Sequence, residues 1–442
     1  MTNFTSLWLI SLISLPIALA APILKSQHSI ATGDGISCAI LENQHIKCWG
    51  ENDHGQLGVG DLLWRGNQPN QMGAALPEVK LPKGRKAISI VAAGSYVCSL
   101  LDDQKVYCWG ANSEGQLGLG DTIDHGSKPG QIGDNLKSVN LGTGAKVLQI
   151  SAGYDHACAI LTDGRLKCWG NNIIGQLGQG DSLARGTKNV QMGDNLLAVN
   201  LGTGRIAKQV VSGDNHTCAL LDDSNIKCWG DNQYGQLGIG SSESMGTKPG
   251  QMGEALKKVE LGTDKKVKSI ASGLNHVCAA LVEGSVKCWG QNLDGTLGLG
   301  DNGDRGSLPE HMGDQLPAVE LSDDFPVEQI FCGSSHCCAS LQIIDTLKCW
   351  GYNAYGQLGI SDTTTRGDKV GQMGENLPSV DLGALRTATE LSIGSNHTCA
   401  RLNNGALKCW GRNYSGELGL GDSLARGGDG NRAVSTLPPI QL

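Results

Sequence analysis

Short stretches in which apolar and polar positions alternate recur along this chain, separated by clusters of Gly, Asn and Asp. Residues 268–321 show the full pattern. Lys268 to Ser272 alternates as a first strand, Gly273-Leu-Asn-His276 reads as a turn, and Val277 to Leu281 as a second strand. Glu283-Gly284 turns the chain into a third strand, Val286 to Trp289. After a long Gly-rich loop, Leu316-Pro-Ala-Val-Glu-Leu321 supplies a fourth.

This unit recurs. Cys-Trp-Gly ends at Gly50, Gly110, Gly170, Gly230, Gly290, Gly351 and Gly411, in steps of 60 residues with one of 61. A period of this length, held along the chain, is the mark of a repeat architecture. Four strands per unit and seven units predict an all-β fold, a seven-bladed β-propeller forming one domain over residues 21–442. A single unit would leave apolar faces bare, so the stacked units must bury them mutually. Trp49, Trp109, Trp169, Trp229, Trp289, Trp350 and Trp410 are assigned to that blade-to-blade core. The pattern starts on a first strand, His28 to Gly33, and ends on a fourth, Leu437 to Leu442. This predicts that the two segments meet in one blade and shut the ring.

Composition agrees, with 64 Gly and only 4% aromatic residues in 442. The net charge of −8, without long Lys or Arg runs, would meet a phosphate backbone with like charge, so nucleic-acid binding is not expected. Leu7 to Ala20 is apolar, and Ala18-Leu19-Ala20 has the small-x-small form of a cleavage site. Residues 1–20 therefore read as a secretory signal peptide, and Pro16 and Pro22 argue against a retained membrane anchor. A secreted, extracellular or periplasmic location without stable membrane insertion follows as an expectation.

Fourteen of the 16 Cys form like pairs: Cys38 with Cys48, Cys98 with Cys108, Cys158 with Cys168, Cys218 with Cys228, Cys278 with Cys288, Cys338 with Cys349 and Cys399 with Cys409. A hairpin signal such as Asp163-Gly164 lies between the members and brings them opposite each other, and an oxidising compartment would join them. Cys332 and Cys337 flank a predicted turn and are expected to pair as an eighth bridge. His156, His216, His276, His336 and His397 each lie two residues before a paired Cys. Such a hairpin offers three ligands where structural zinc takes four, and Ile36 and Tyr96 occupy the slot in units one and two. These His are expected to hydrogen-bond neighbouring backbone, with no metal and no cofactor.

The unit Gly-x-x-His-x-Cys-Ala-Leu, followed by Cys-Trp-Gly-x-Asn-x-x-Gly-Gln-Leu-Gly-x-Gly-Asp, closely resembles the regulator of chromosome condensation (RCC1-type) repeat family over residues 28–442. The resemblance implies a seven-bladed propeller. It also implies a choice among nucleotide exchange on the Ran GTPase, plant ultraviolet-B reception, ubiquitin-ligase modules and secreted inhibitors of β-lactamase. The leader and paired Cys depart from the nuclear exchange factor, which works on chromatin. Beyond the blade core and Trp8 only Trp64 remains, where the photoreceptor carries further Trp clusters. No ubiquitin-ligase domain is expected, and the secreted inhibitors match best in layout.

The third-to-fourth-strand connection is about 25 residues long and shares a face with the first-to-second turns. Long ordered loops of this kind are usually functional. Two slots on this face vary between units, which nominates Tyr96, Tyr154, Asp155, Ile173, Ile174, Tyr234, Tyr355 and Tyr414 as partner-binding. No catalytic triad or phosphate-cradling loop appears, and the Asp of the repeated Gly-x-Gly-Asp (Asp61, Asp121, Asp181, Asp301, Asp422) read as turn caps. The chain is expected to be a non-catalytic protein-binding module, inhibitor or effector. Guanine-nucleotide exchange on a small GTPase is the alternative. Asn215, Asn396 and Asn413 stand in glycosylation sequons.

Overall fold

The computed structural model describes residues 28–322, 325–342 and 346–442. The signal-peptide assignment at residues 1–20 lies outside them. Seven antiparallel three-stranded sheets follow one another, each with its strands in chain order. In unit five the strands are Val267–Ser272, His276–Leu281 and Val286–Gly290. Strand pairing places Cys278 directly opposite Cys288, and the two are bonded.

The same register recurs in the other units and closes each hairpin on itself, as the sequence predicts. Cys38 is bonded to Cys48, Cys98 to Cys108, Cys158 to Cys168 and Cys218 to Cys228. Cys338 is bonded to Cys349 across its one-residue-longer hairpin, and Cys399 to Cys409. Cys332 and Cys337 form the eighth bridge, which leaves no free thiol.

The predicted fourth strand is present as an extended edge segment that barely pairs. In unit five Val319 N–H donates to the Val286 carbonyl at 2.8 Å, and Ile440 does the same to Leu407 in unit seven. Units two, four and six add one isolated bridge each, Tyr107 to Ser138, Lys227 to Lys258 and Lys348 to Ser379. Pro77, Pro317, Pro378 and Pro438 remove donors from this segment in units one, five, six and seven, which confines it to the sheet edge. Its contribution is apolar: Val319 and Leu321 pack into the core between blades.

The first strands line a central channel, a cavity of about 500 Å³ bordered by Ile90, Gln149, Gln209, Ile270 and Phe331 among others. A register shift near the start of six of these strands kinks each blade at its inner edge, as between Val267 and Ser269.

Ring closure differs from the expectation. Ile30–Thr32 pairs with its own unit's second strand, and Ile440 with its own unit's third, so the ends do not share a blade. Closure instead uses the contacts that join every other pair of blades. Each core Trp indole N–H donates to a backbone carbonyl of the preceding blade at 2.9 to 3.1 Å, the acceptors being Gln56, Gln116, Gln176, Gln236, Thr296, Gln357 and, for Trp49, Glu417. All seven rings are fully buried. Replacing one by Ala would cost about 3–5 kcal/mol.

The buried His complete this seam and correct the sequence reading. They bond a side chain of the next blade, not neighbouring backbone. His156 Nε2 lies 2.9 Å from Thr217 Oγ1, His336 Nε2 2.9 Å from Thr398 Oγ1, and His397 Nε2 2.9 Å from Ser37 Oγ. Each of those hydroxyls gives its own proton to the carbonyl of Gln176, Gln357 or Glu417. A hydroxyl has one proton to give, so it must accept from Nε2–H, which fixes the imidazole tautomer. His216 turns to Ser272 Oγ at 3.0 Å because Val277 stands in the hydroxyl position.

The Gly of Cys-Trp-Gly is needed for close approach. Gly170 has φ +105°, and a Cβ there would run into the Asp155 carbonyl oxygen.

Burial holds His156 down at about 4 and His216, His276, His336 and His397 at about 3, against an ordinary 6.5. Their folded values lie below the unfolded one, so this stabilisation is complete above pH 6.5 and lost as pH falls toward 3 or 4. The guanidinium midpoint should therefore drop steeply between pH 6.5 and 4. A His216→Gln variant should flatten the slope by up to about 1.4 kcal/mol per pH unit. A slope unchanged by this substitution would contradict the burial account.

Candidate functional site

The long loop after each third strand is built around a buried Asn. Asn172 Oδ1 accepts from Leu177 N–H at 3.0 Å while its Nδ2 donates to the Asp181 carbonyl at 2.8 Å; Asn52, Asn112, Asn292, Asn353 and Asn413 repeat the brace, and Asn232 does so onto the Ser241 carbonyl. The Asp caps the following turn, as expected, with Leu183 N–H on Asp181 Oδ1 at 2.9 Å. Sequence reasoning missed its second partner, an Arg four residues on: Asp181–Arg185 at 2.7 Å, Asp301–Arg305 at 2.6 Å and Asp422–Arg426 at 2.6 Å. The fixed Asp-x-x-x-Arg spacing carried that signal. Asn413 is fully buried with both ends of its amide engaged, so its sequon has no room for a glycan in this fold.

These loops share a face with the first-to-second turns, since Asn171 N–H donates to the Asp155 carbonyl at 2.8 Å. The residue after each bracing Asn points outward: Asp53, Ser113, Ile173, Gln233, Leu293, Ala354 and Tyr414 form a seven-membered exposed ring. Ile173 and Leu293 are 70% exposed and Tyr414 61%. The following slot, with Ile174, Tyr234 and Tyr355, is half-buried. Tyr355 meets Tyr414 edge to face at 5.6 Å between ring centres and Tyr352 at 6.2 Å, so blades six and seven share an aromatic cluster. Tyr352 was not among the nominated residues.

Tyr154 stands half exposed at the channel mouth, which is bordered by the seven first-to-second turns. Asp155 beside it is half-buried and accepts from Gln116 Nε2 at 3.1 Å. Burial raises the Asp155 carboxyl, with Glu114 adding to it. Burial first, then Asp155 and Asp231, pushes Asp214 up to about 6. Glu51 is raised by burial and by Asp53 and Asp34. The loop face thus carries crowded carboxylates on blades one to four, with Asp214 at the mouth itself, and the tyrosine cluster on the loops of blades six and seven.

Tyr96 departs from its nomination. It is fully buried, and its single hydroxyl proton goes to the His156 carbonyl of the next blade at 2.6 Å, with the Gly153 carbonyl also in reach at 3.0 Å. It fills the His slot, where a longer side chain reaches the neighbouring backbone directly because Ala157 leaves the space.

His276, Cys278, Cys332 and Cys337 each place one ligand-type atom within 4.8 Å of the others. All three sulfurs are in disulfides, so no thiolate is available there for a metal.

The model of the RCC1-like domain matches residues 14–303 and 141–441, which together span the seven units. The chain belongs to the RCC1-like family. It is 25% identical to the ultraviolet-B receptor UVR8 of Arabidopsis thaliana, over 92% of this chain and 93% of that one. It is 29% identical to the probable E3 ubiquitin-protein ligase HERC6 of Homo sapiens over 62% of this chain, but spans only 24% of that relative. Among solved structures, Prp20p of Saccharomyces cerevisiae superposes with a TM-score of 0.63 at 21% identity, over 90% of this chain and 85% of that one. Human WBSCR16 does so with 0.61 at 20% identity, over 84% and 87%. These two share the fold. The RCC1-like blades here differ from one another mainly in the exposed ring and at the channel mouth.

A carbon-detected NMR titration should find Asp214 with a midpoint near 6. Asp155→Asn should lower it, because one of the charges that raises it is removed. An ordinary midpoint near 4 would show that the mouth is open to solvent at that position.

Proposed function

We propose that this RCC1-like propeller is exported and acts without catalysis, binding a protein partner through the face that carries the long loops. The exposed ring carries the proposal. Ile173, Leu293 and Tyr414 project from loops whose own polar groups are spent on the Asn and Asp–Arg braces. Rigid apolar and aromatic side chains on a preorganised surface are what protein interfaces use as anchors. Half-buried carboxylates at the channel mouth would favour a partner with a basic surface opposite them.

Export is supported by the complete pairing of 16 Cys, since closed hairpin bridges persist in oxidising compartments. No helix among the described residues is long and apolar enough to cross a membrane. The related Prp20p structure is reported together with binding to Gsp1p and histones. That makes exchange on a small GTPase the second reading here, resting on fold alone.

Partner capture from the protein's native medium should fall about ten-fold or more for the triple variant Ile173→Ala, Tyr355→Ala, Tyr414→Ala, at unchanged thermal stability. Capture equal to that of the unaltered protein would move the site off this face. Release of labelled GDP from a panel of small GTPases should not be accelerated; acceleration would favour exchange activity.

A further inference from the structure

The eighth disulfide has no counterpart in the other blades. Cys332 ends the first strand of blade six and faces Cys337 on the second. Ser212 and Thr217, or Thr32 and Ser37, take these positions elsewhere. Of the 16 half-cystines, Cys332 alone is not buried; it borders the channel and its mouth. Cys337 is fully buried, with its sulfur 3.8 Å from Cys278 Sγ of blade five and 3.1 Å from His276 Nε2. Two disulfides on different blades are therefore in contact, and one of them opens to the channel.

We propose that Cys332–Cys337 is a thiol–disulfide exchange site for a small thiol entering the channel mouth, and that Cys337 passes the exchange to Cys278–Cys288. In the first step the incoming thiolate bonds to Cys332 Sγ. The Cys332–Cys337 bond breaks, and its electron pair leaves on Cys337. With its proton on Nε2, the tautomer fixed at His156, His336 and His397, His276 would give the buried Cys337 thiolate a hydrogen-bond donor at 3.1 Å. In the second step that thiolate bonds to Cys278 Sγ, the Cys278–Cys288 bond breaks and its electron pair leaves on Cys288, which ends as the thiol and balances the proton given up by the incoming thiol. Two disulfides and one thiol go in. A mixed disulfide on Cys332, a Cys278–Cys337 bridge between blades and one Cys288 thiol come out, with no net oxidation.

Burial protects the other six bridges from direct attack, since both their sulfurs belong to fully buried residues. The outcome is a cross-link that staples blade five to blade six, written in response to a thiol. This device is independent of any partner on the loop face.

The test treats the folded protein briefly with reduced glutathione, quenches with acid, then unfolds and alkylates with N-ethylmaleimide before peptide mapping. Glutathione is expected on Cys332, a Cys278–Cys337 cross-linked peptide should appear, and alkylation at Cys288 should exceed that at any other hairpin Cys by about ten-fold. The control is Cys332→Ser with Cys337→Ser. Sister blades hold Ser at both positions, in Ser212 and Ser37, so this variant should fold, and its Cys278–Cys288 bridge should resist the same treatment. Glutathione on Cys332 without the cross-link would overturn the relay. Resistance of all eight bridges, equal reduction of all eight, or opening of Cys278–Cys288 in the double variant would overturn the site itself.

Discussion

One carbonyl per blade holds this ring together. Gln176 offers its backbone oxygen to the Trp229 indole and to the Thr217 hydroxyl, and that hydroxyl in turn receives the His156 proton. Indole, carbonyl, hydroxyl and imidazole form one hydrogen-bonded chain across the seam between blades three and four. None of its members meets water, so each unmade bond would leave a buried polar group unpaired, at about 1–3 kcal/mol. The apolar faces give the blades a reason to stack. The hydrogen-bonded chain sets their register and angle.

The seams vary in a correlated way. Where His156, His336 or His397 points across, the next blade supplies Thr217, Thr398 or Ser37, and where His216 meets Val277 it turns to Ser272 instead. Where Tyr96 points across, the facing residue shrinks to Ala157, and where Ile36 does, it is Val97. At the fifth seam Cys337 stands in the hydroxyl position. The pattern is a two-residue code for neighbouring blades, packing large against small or donor against acceptor.

Much of this was legible beforehand because repetition exposes it. The strand positions, the Trp core and the seven hairpin sulfur pairs, from Cys38 with Cys48 to Cys399 with Cys409, follow from a period of 60 and a two-residue alternation, while the Cys332–Cys337 pair was read only from the turn between its members. What escaped were relations between units, which a unit-by-unit reading cannot see. His and Thr sit about 61 residues apart, so their pairing needs the neighbour's placement. Tyr96 was misassigned because an aromatic beside a turn reads as exposed, while here it opens the second strand and its hydroxyl reaches the adjacent blade. The fourth strand kept its apolar rhythm but lost its ladder, since proline and a single aligned donor leave little to pair. The exposed ring was half visible: variable slots pointed to it, but only the bracing Asn distinguishes the outward residue from the half-buried one beside it.

Every blade is made from one unbroken stretch of backbone, and the last meets the first through side chains and loops, as all the others meet. No strand is borrowed to latch the circle. The order of units is then a matter of bookkeeping to the fold: a gene rewritten to begin at any of the seven would keep every sheet intact. Tension applied between the two ends would part a seam and shed a whole blade, its hairpin still held by its own sulfur bridge.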